Sequence, residues 1–404
     1  MINYSIKTVN VKLTQQEWKE FQNGVVVKAM NEQTQIQKQE IISYALDMVV
    51  QSKIREALEE LDKFEDKTIV PIAPNVEVIL VDENKFEAQI KITYYSLSEL
   101  EKFDYKNLKF DFAVQPLKNE FLELAFQKFT QSYPLLTPIQ DFVQVGDHVT
   151  IDYSVIHPMT GNVLDQKQNI TLVTRMSPGF SINSLLLNRM PGNSFKIRDP
   201  KGNDWMIIIK GNRRPIPTTL TNNNINKTGI ENINSLEDLK KRLFMDFRKE
   251  HYSSELLRFY ERTMREIVVN SKMNFSPENL KMGLVEYFQK ISDGTANIDP
   301  DEVLKDKDPK TIELVASGDK STKAKIIAST FEFMVLNTEK IKVTDKEIEN
   351  ETNYIQSMLT SNNKMANKKL AESILTRQKI ALSLAKVINK DVYTVISKEL
   401  NLRV

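Results

Sequence analysis

The chain has 404 residues, too many for a single hydrophobic core, so two or three domains are expected. Its 55 basic and 54 acidic side chains leave a formal charge of +1 and are mixed along the chain, so no global field steers it to nucleic acid and no direct DNA partner is expected. It has no cysteine, which excludes disulfides, a thiolate nucleophile and cysteine metal sites, and His148, His157 and His251 lack metal-ligand spacing.

The first residues carry no basic patch followed by an apolar core, so no signal peptide is expected there. No apolar run reaches bilayer length, so the expectation is a soluble, cytoplasmic protein with no membrane partner. Alternation of Ile2, Tyr4, Ile6, Val9, Val11 and Leu13 predicts a strand. Thr14 and Glu17 form a capping-box pattern that starts a helix bearing Trp18 and Phe21. After a polar break near residues 31–35, Ile42, Ala45, Leu46, Val49, Leu58 and Leu61 follow helical spacing to about Phe64. Pro71 and Pro74 stop regular structure. Residues 76–81 and 86–94 alternate around Asp82-Glu83-Asn84-Lys85, a hairpin signature. Residues 110–114 read as another strand, and Phe121, Leu124, Ala125 and Phe129 as a helix.

The stretch 143–212 has a different pattern. After the turn Gly146-Asp147, Val149, Ile151 and Tyr153 alternate with polar residues, as in a half-buried strand. Residues 162–165 resume extended chain, and Ile170, Leu172 and Val173 give a further strand. Ser177-Pro178-Gly179-Phe180 opens a short helix with Ile182, Leu185 and Leu186. Met190-Pro191-Gly192-Asn193 turns the chain before strands at Phe195 and Ile197 and at residues 205–209. The opening Gly-Asp-x-Val-x-Ile-Asp-Tyr and the later Pro-Gly-Phe, in that order, resemble the FKBP-type peptidyl-prolyl isomerase domain in the form embedded in bacterial trigger factor.

Arg213-Arg214-Pro215-Ile216-Pro217 reads as extended linker. Ser235 then caps a helix in which Leu236, Leu239, Leu243, Phe247, Leu257, Tyr260, Met264 and Ile267 mark one stripe. At ~1.5 Å per residue this helix is a rod of roughly 50 Å. Ser276-Pro277-Glu278 starts the next helix, with Leu280, Leu284 and Phe288. Residues 298–309 read as a connector, and Ile326, Ile327, Phe331, Phe333, Met334 and Leu336 as a helix reaching Thr338. Thr344 and Glu347 repeat the capping box, and Leu370, Ile374, Ile380, Leu384 and Val387 lie on the helix that follows. The Ser-Leu-Glu-Asp-Leu-Lys-Lys-Arg-Leu segment from Ser235 is similar to the start of the trigger factor C-terminal domain, and the order of modules is similar along nearly the whole chain.

What this resemblance implies is a multidomain α+β protein. It would have an α+β ribosome-binding-like domain at 1–140, a small antiparallel FKBP-like sheet at 141–212 and a linker at 213–234. An all-helical chaperone domain with arm-like helices would follow at 235–404. The implied function is ATP-independent holding of nascent or unfolded polypeptides. No cofactor is expected, and no Gly-x-x-x-x-Gly-Lys-Ser/Thr phosphate loop occurs. The implied proline pocket is lined by Tyr153, Leu164, Asp165, Phe180, Ile182, Trp205 and Ile207, all of which except Asp165 can equally be core of a small sheet. Leu164 stands where the family often has an aromatic, and only a short turn separates Phe195 from Trp205. The family's ribosome loop carries Gly-Phe-Arg-Lys, and here only Lys28 and Lys38 remain as basic residues near it, so ribosome docking is expected to be weak. Met264, Met282, Phe288, Phe333, Met334 and Met358 are candidate client contacts, or packing surface between helices. Two other functions stay open: a prolyl isomerase acting first as an enzyme, and an assembly partner for folded subunits.

Overall fold

The structure, a computed structural model, describes residues 1–292, 300–305, 307–359 and 367–402. The chain begins β1 (Ser5–Leu13), α1 (Gln15–Asn31), α2 (Lys38–Leu61), β2 (Thr68–Ile69), β3 (Asn75–Val81), β4 (Phe86–Ser96) and α3 (Leu97–Leu100). It continues α4 (Asn119–Gln131), β5 (Tyr133–Ile139), β6 (His148–Ile156), β7 (Val163–Val173), α5 (Ile182–Leu185), β8 (Ser194–Arg198) and β9 (Asp204–Thr218). The rest is helical: α6 (Leu236–Asn270), α7 (Pro277–Ile291), α8 (Pro300–Val303), α9 (Pro309–Thr338), α10 (Asp345–Ser357), α11 (Lys368–Ile388) and α12 (Lys390–Leu400). The fold is α+β with antiparallel sheets and a helical C-terminal region. The connector expected at residues 298–309 lies partly outside the described residues.

The chain forms two compact units that do not follow the linear limits 140, 212 and 234. The first gathers Met1–Gln115, Tyr252–Ser357 and Asn363–Val404, and the second Pro116–His251 and Met358–Asn362. The physical reason is shared burial. Ile2, Ile72, Tyr95, Leu100 and Phe103 lie in one core with Phe259, Phe331, Leu382 and Ile396, so the N-terminal segments and the late helices of the first unit cannot be separated without exposing it.

In the first unit, β4 pairs with β1 on one side and with β3 and β2 on the other. Its alternate residues Phe86, Ala88, Ile90 and Ile92 are fully buried under α1 and α2. Trp18 of α1 stacks on Phe86 at 5.1 Å and donates its indole N–H to the Asp82 carbonyl at 2.8 Å. The capping box holds as read: Glu17 N–H reaches Thr14 Oγ1 at 3.3 Å, and Thr14 N–H reaches the Glu17 carboxylate at 2.8 Å. The same geometry recurs at Thr344 and Glu347, and Ser276 accepts from Asn279 N–H at 3.0 Å.

The strand expected at 110–114 does not form. Phe110 and Phe112 instead set their rings 5.7 and 5.3 Å from Phe259, and aromatic packing takes the place of a ladder. Two glycines inside helices also escaped the periodicity. A Cβ on Gly283 of α7 would overlap Thr322 of α9, and one on Gly318 would lie 2.6 Å from Leu284 Cδ1. Only hydrogen at these positions lets the two backbones approach that closely.

The second unit is built on a five-stranded sheet of order β5-β9-β6-β7, with β8 also on β9. Val149, Ile151, Tyr153, Ile207 and Ile209 are its core, closed by Leu186. The expected linker is here a strand. Residues 213–218 extend β9 and pair along β5, with Leu136 opposite Pro215 and Pro134 opposite Pro217. The pairing of β6 with β9 ends at Arg213, so these prolines have a strand neighbour on one side only, an edge position that a missing N–H tolerates. Asp147, 1 % exposed, ties the sheet at the β6 entry. Its carboxylate accepts from Arg214 Nε and Nη2 at 2.8 Å each, from Asn212 Nδ2 at 2.9 Å and from Gln144 N–H at 2.9 Å.

Candidate functional site

The second unit brings four of the seven pocket candidates together. Alternation puts Tyr153 of β6 and Trp205 of β9 on one face of the sheet as diagonal neighbours, with ring centroids 5.1 Å apart. Phe180, delivered by the Pro178-Gly179 turn before α5, sits 5.8 Å from Trp205. Gly179 adopts φ 78°, a conformation that a side chain would strain. The Tyr153 hydroxyl donates to Asp165 Oδ2 at 2.7 Å. Burial pushes this phenol up to about 12, and the Asp165 carboxylate that accepts its proton adds to the effect. Tyr153 therefore stays protonated at neutral pH and presents a fixed donor-acceptor pair beside two aromatic faces.

The remaining candidates sit differently. Ile182 is half-buried against the sheet core, and Ile207, the cross-strand partner of Tyr153, is wholly buried within it. Leu164 is 54 % exposed at the rim and does not close the site. The turn between β8 and β9 is held tightly by Asp199. Its carboxylate accepts from Lys201 N–H at 2.9 Å, Asn203 N–H at 2.8 Å and Trp205 Nε1 at 3.1 Å. The Trp205 N–H, foremost among these donors, holds the Asp199 carboxyl below the usual carboxylate range. The cluster thus sets the aromatic faces of Trp205 and Phe180 beside the hydrogen-bonded Tyr153 and Asp165.

The client candidates on the helices prove to be mostly interior. Met264, Phe288 and Met334 are buried. Met282 and Phe333 are half-buried against the core of the first unit, and Met358, in the second unit, is half-buried too. Helical spacing alone could not separate the packed face from the open one. The open apolar side chains are others: Ile291, Leu304 and Ile312 are each more than half exposed. Near Gly283 and Gly318, α7 and α9 run closely side by side in opposite directions, which places Ile291 at the end of α7 level with Ile312 and Leu314 at the start of α9. In the second unit, Phe121 and Leu124 of α4 and Met245 of α6 are exposed as well. On α1 and α2, Val27, Met30, Tyr44 and Met48 are likewise exposed.

The two lysines near the loop between α1 and α2 are both exposed. Lys38 pairs with Glu83 at 2.5 Å, so its charge is already matched. Among the described residues no group of three or more His, Asp or Glu side chains is arranged to hold a metal, and no helix is long and apolar enough to cross a membrane.

No family model and no curated protein matches the chain. Among solved structures, a likeness covers 98% of this chain and 97% of a chain of the trigger factor chaperone, described for promiscuous substrate recognition in folding and assembly activities. The two share 14% identity at a TM-score of 0.36, values at which the likeness carries no argument about activity.

Proposed function

We propose that this chain is an ATP-independent chaperone that holds nascent or unfolded polypeptides in the cytoplasm. The observation that supports it is the set of large apolar side chains left open at one end of the α7–α9 pair: Ile291, Ile312 and Leu314, with Leu304 in the connecting segment. Contact with such scattered groups selects for exposed apolar surface rather than for one sequence, as holding unfolded chains requires. The protein is expected to delay aggregation of a denatured client at several-fold excess. An Ile291→Lys/Ile312→Lys variant of unchanged helicity is expected to be several-fold less effective. No delay by the unaltered protein would sink the proposal, and association with a folded subunit but not with a denatured client would favour the assembly-partner reading instead.

A second activity rests on the aromatic cluster. Tyr153, Phe180 and Trp205 offer a surface for a proline ring, and desolvating the ring's amide lowers a barrier of ~20 kcal/mol without any proton transfer. With Leu164 at the rim and the Asp199-held turn in place of a flap, water reaches the site and turnover on a proline peptide is slow. Tyr153→Phe removes the hydrogen bond to Asp165 and Phe180→Leu removes an aromatic contact with Trp205, each worth ~0.5–1.5 kcal/mol, so the rate is expected to fall by roughly 2- to 10-fold. A variant that circular dichroism shows folded, yet keeps the parental rate, would place isomerisation elsewhere.

Ribosome binding is weak on this reading. Few phosphate contacts are available from Lys28 and the paired Lys38, so co-sedimentation should be slight and depend little on salt. Lys28→Ala/Lys38→Ala is expected to change it little. Tight, steeply salt-dependent co-sedimentation would reveal a docking surface made of other residues.

A further inference from the structure

β3 ends its sheet in an unusual way. β4 lies between β1 and β3, so among the described residues one edge of β3 has no strand beside it. Val78, Ile79, Leu80 and Val81 are 40, 61, 38 and 38 % exposed, an unbroken apolar run on both faces of an edge strand. Natural edges are usually blunted by lysine, proline, a bulge or a covering element, and this run has a bulge at Ile79 but neither of those residues. Among the described residues, the backbone of 78–81 bonds only along β4, so the outward N–H and C=O groups remain available. The bulge between Val78 and Leu80 re-aims Ile79.

The complement of a free ladder edge with apolar side chains on both faces is an extended backbone with apolar side chains. We infer that β3 captures an extended apolar segment of an unfolded client by adding it as a further strand. The inference rests on the chaperone reading and gives it a substrate class: extended, strand-forming unfolded segments, rather than apolar surface in general. Charge argues against a second copy as the occupant. Among the described residues Glu77 is exposed and forms no ion pair, and antiparallel pairing of two copies about Ile79 would set each Glu77 opposite the other's Val81, next to the acidic Asp82. The same acidic residues favour a segment carrying a lysine or arginine beside its apolar run.

The test uses the full chain and a fluorescent peptide of alternating Val and Thr flanked by Lys, alongside the same peptide N-methylated at alternate amides. Because the chain has no cysteine, Glu77→Cys gives a single attachment point for crosslinking to a thiol-reactive peptide. The unmethylated peptide is expected to bind about ten-fold more tightly than the methylated one and to crosslink at that position. Ile79→Lys/Val81→Lys, checked for folding by circular dichroism, is expected to lose about ten-fold in peptide affinity while keeping most of the aggregation delay supplied by the other surfaces. Equal affinity of the folded double variant and the parent, with aggregation delay intact, would overturn the edge-strand inference and leave the chaperone reading standing. Peptide capture at Glu77→Cys without any aggregation delay would do the reverse. A parent that sediments as a dimer and becomes monomeric in the double variant would assign the edge to a second copy and overturn the client assignment.

Discussion

Arg214→Ala is expected to destabilise the second unit by about 3–5 kcal/mol, because it strands a buried carboxylate. The Arg214 guanidinium holds both oxygens of Asp147 and also donates to the Phe142 carbonyl at 2.9 Å. Without it Asp147 keeps only the Asn212 and Gln144 bonds. Burial works to raise the Asp147 carboxyl, but the hydrogen bonds from Arg214, Gln144 and Asn212, together with the Arg214 charge, outweigh it and hold the group below the ordinary carboxylate range. The sign of the pH dependence follows. The stabilisation is fully present above the unfolded carboxylate pKa and is lost as pH falls through the depressed folded value. In Arg214→Ala that acid sensitivity should shrink. The chain has two tryptophans, and Trp205 lies in the second unit, so its fluorescence in a Trp18→Phe background follows this unit through urea denaturation. A midpoint unchanged in Arg214→Ala would show that water replaces the guanidinium without penalty.

Phe259→Ala should cost the first unit a similar amount, about 3–5 kcal/mol, as expected for truncating a buried phenylalanine. Phe259 is fully buried on α6, and the rings of Phe110 and Phe112 rest on it at 5.7 and 5.3 Å. Arg258 in turn sits 4.5 Å over the Phe112 ring, so the segment 110–114 is held by side chains rather than by a ladder. The loss should therefore appear in two measurements. The denaturation midpoint reported by Trp18 should fall, and proteolysis near residues 110–114 should become faster under native conditions. A fall of less than about 1 kcal/mol would mean that the core collapses around the missing ring, at the shallow end of such substitutions.

What the sequence determined by itself was local. Thr14 with Glu17 and Thr344 with Glu347 cap their helices through groups three residues apart, so no distant partner is needed to read them. The alternation of Val149, Ile151 and Tyr153 likewise states which face of β6 is buried, because strand period fixes it. The α+β class and the clustering of Tyr153, Asp165, Phe180 and Trp205 were legible on these grounds together with the resemblance. Tertiary structure decided what depends on partners remote in sequence. Residues 213–218 become a strand only because β5 lies beside them, and two prolines had disguised it as a linker. Met264, Phe288 and Met334 are interior because other elements cover them, whereas Ile291 and Ile312, of the same apolar character, are left open. The exposed run in β3 is unbroken, apolar and largely β-branched, as a strand buried on both faces would be. Its exposure follows from its place at the end of the sheet, a matter of strand order that no local pattern encodes.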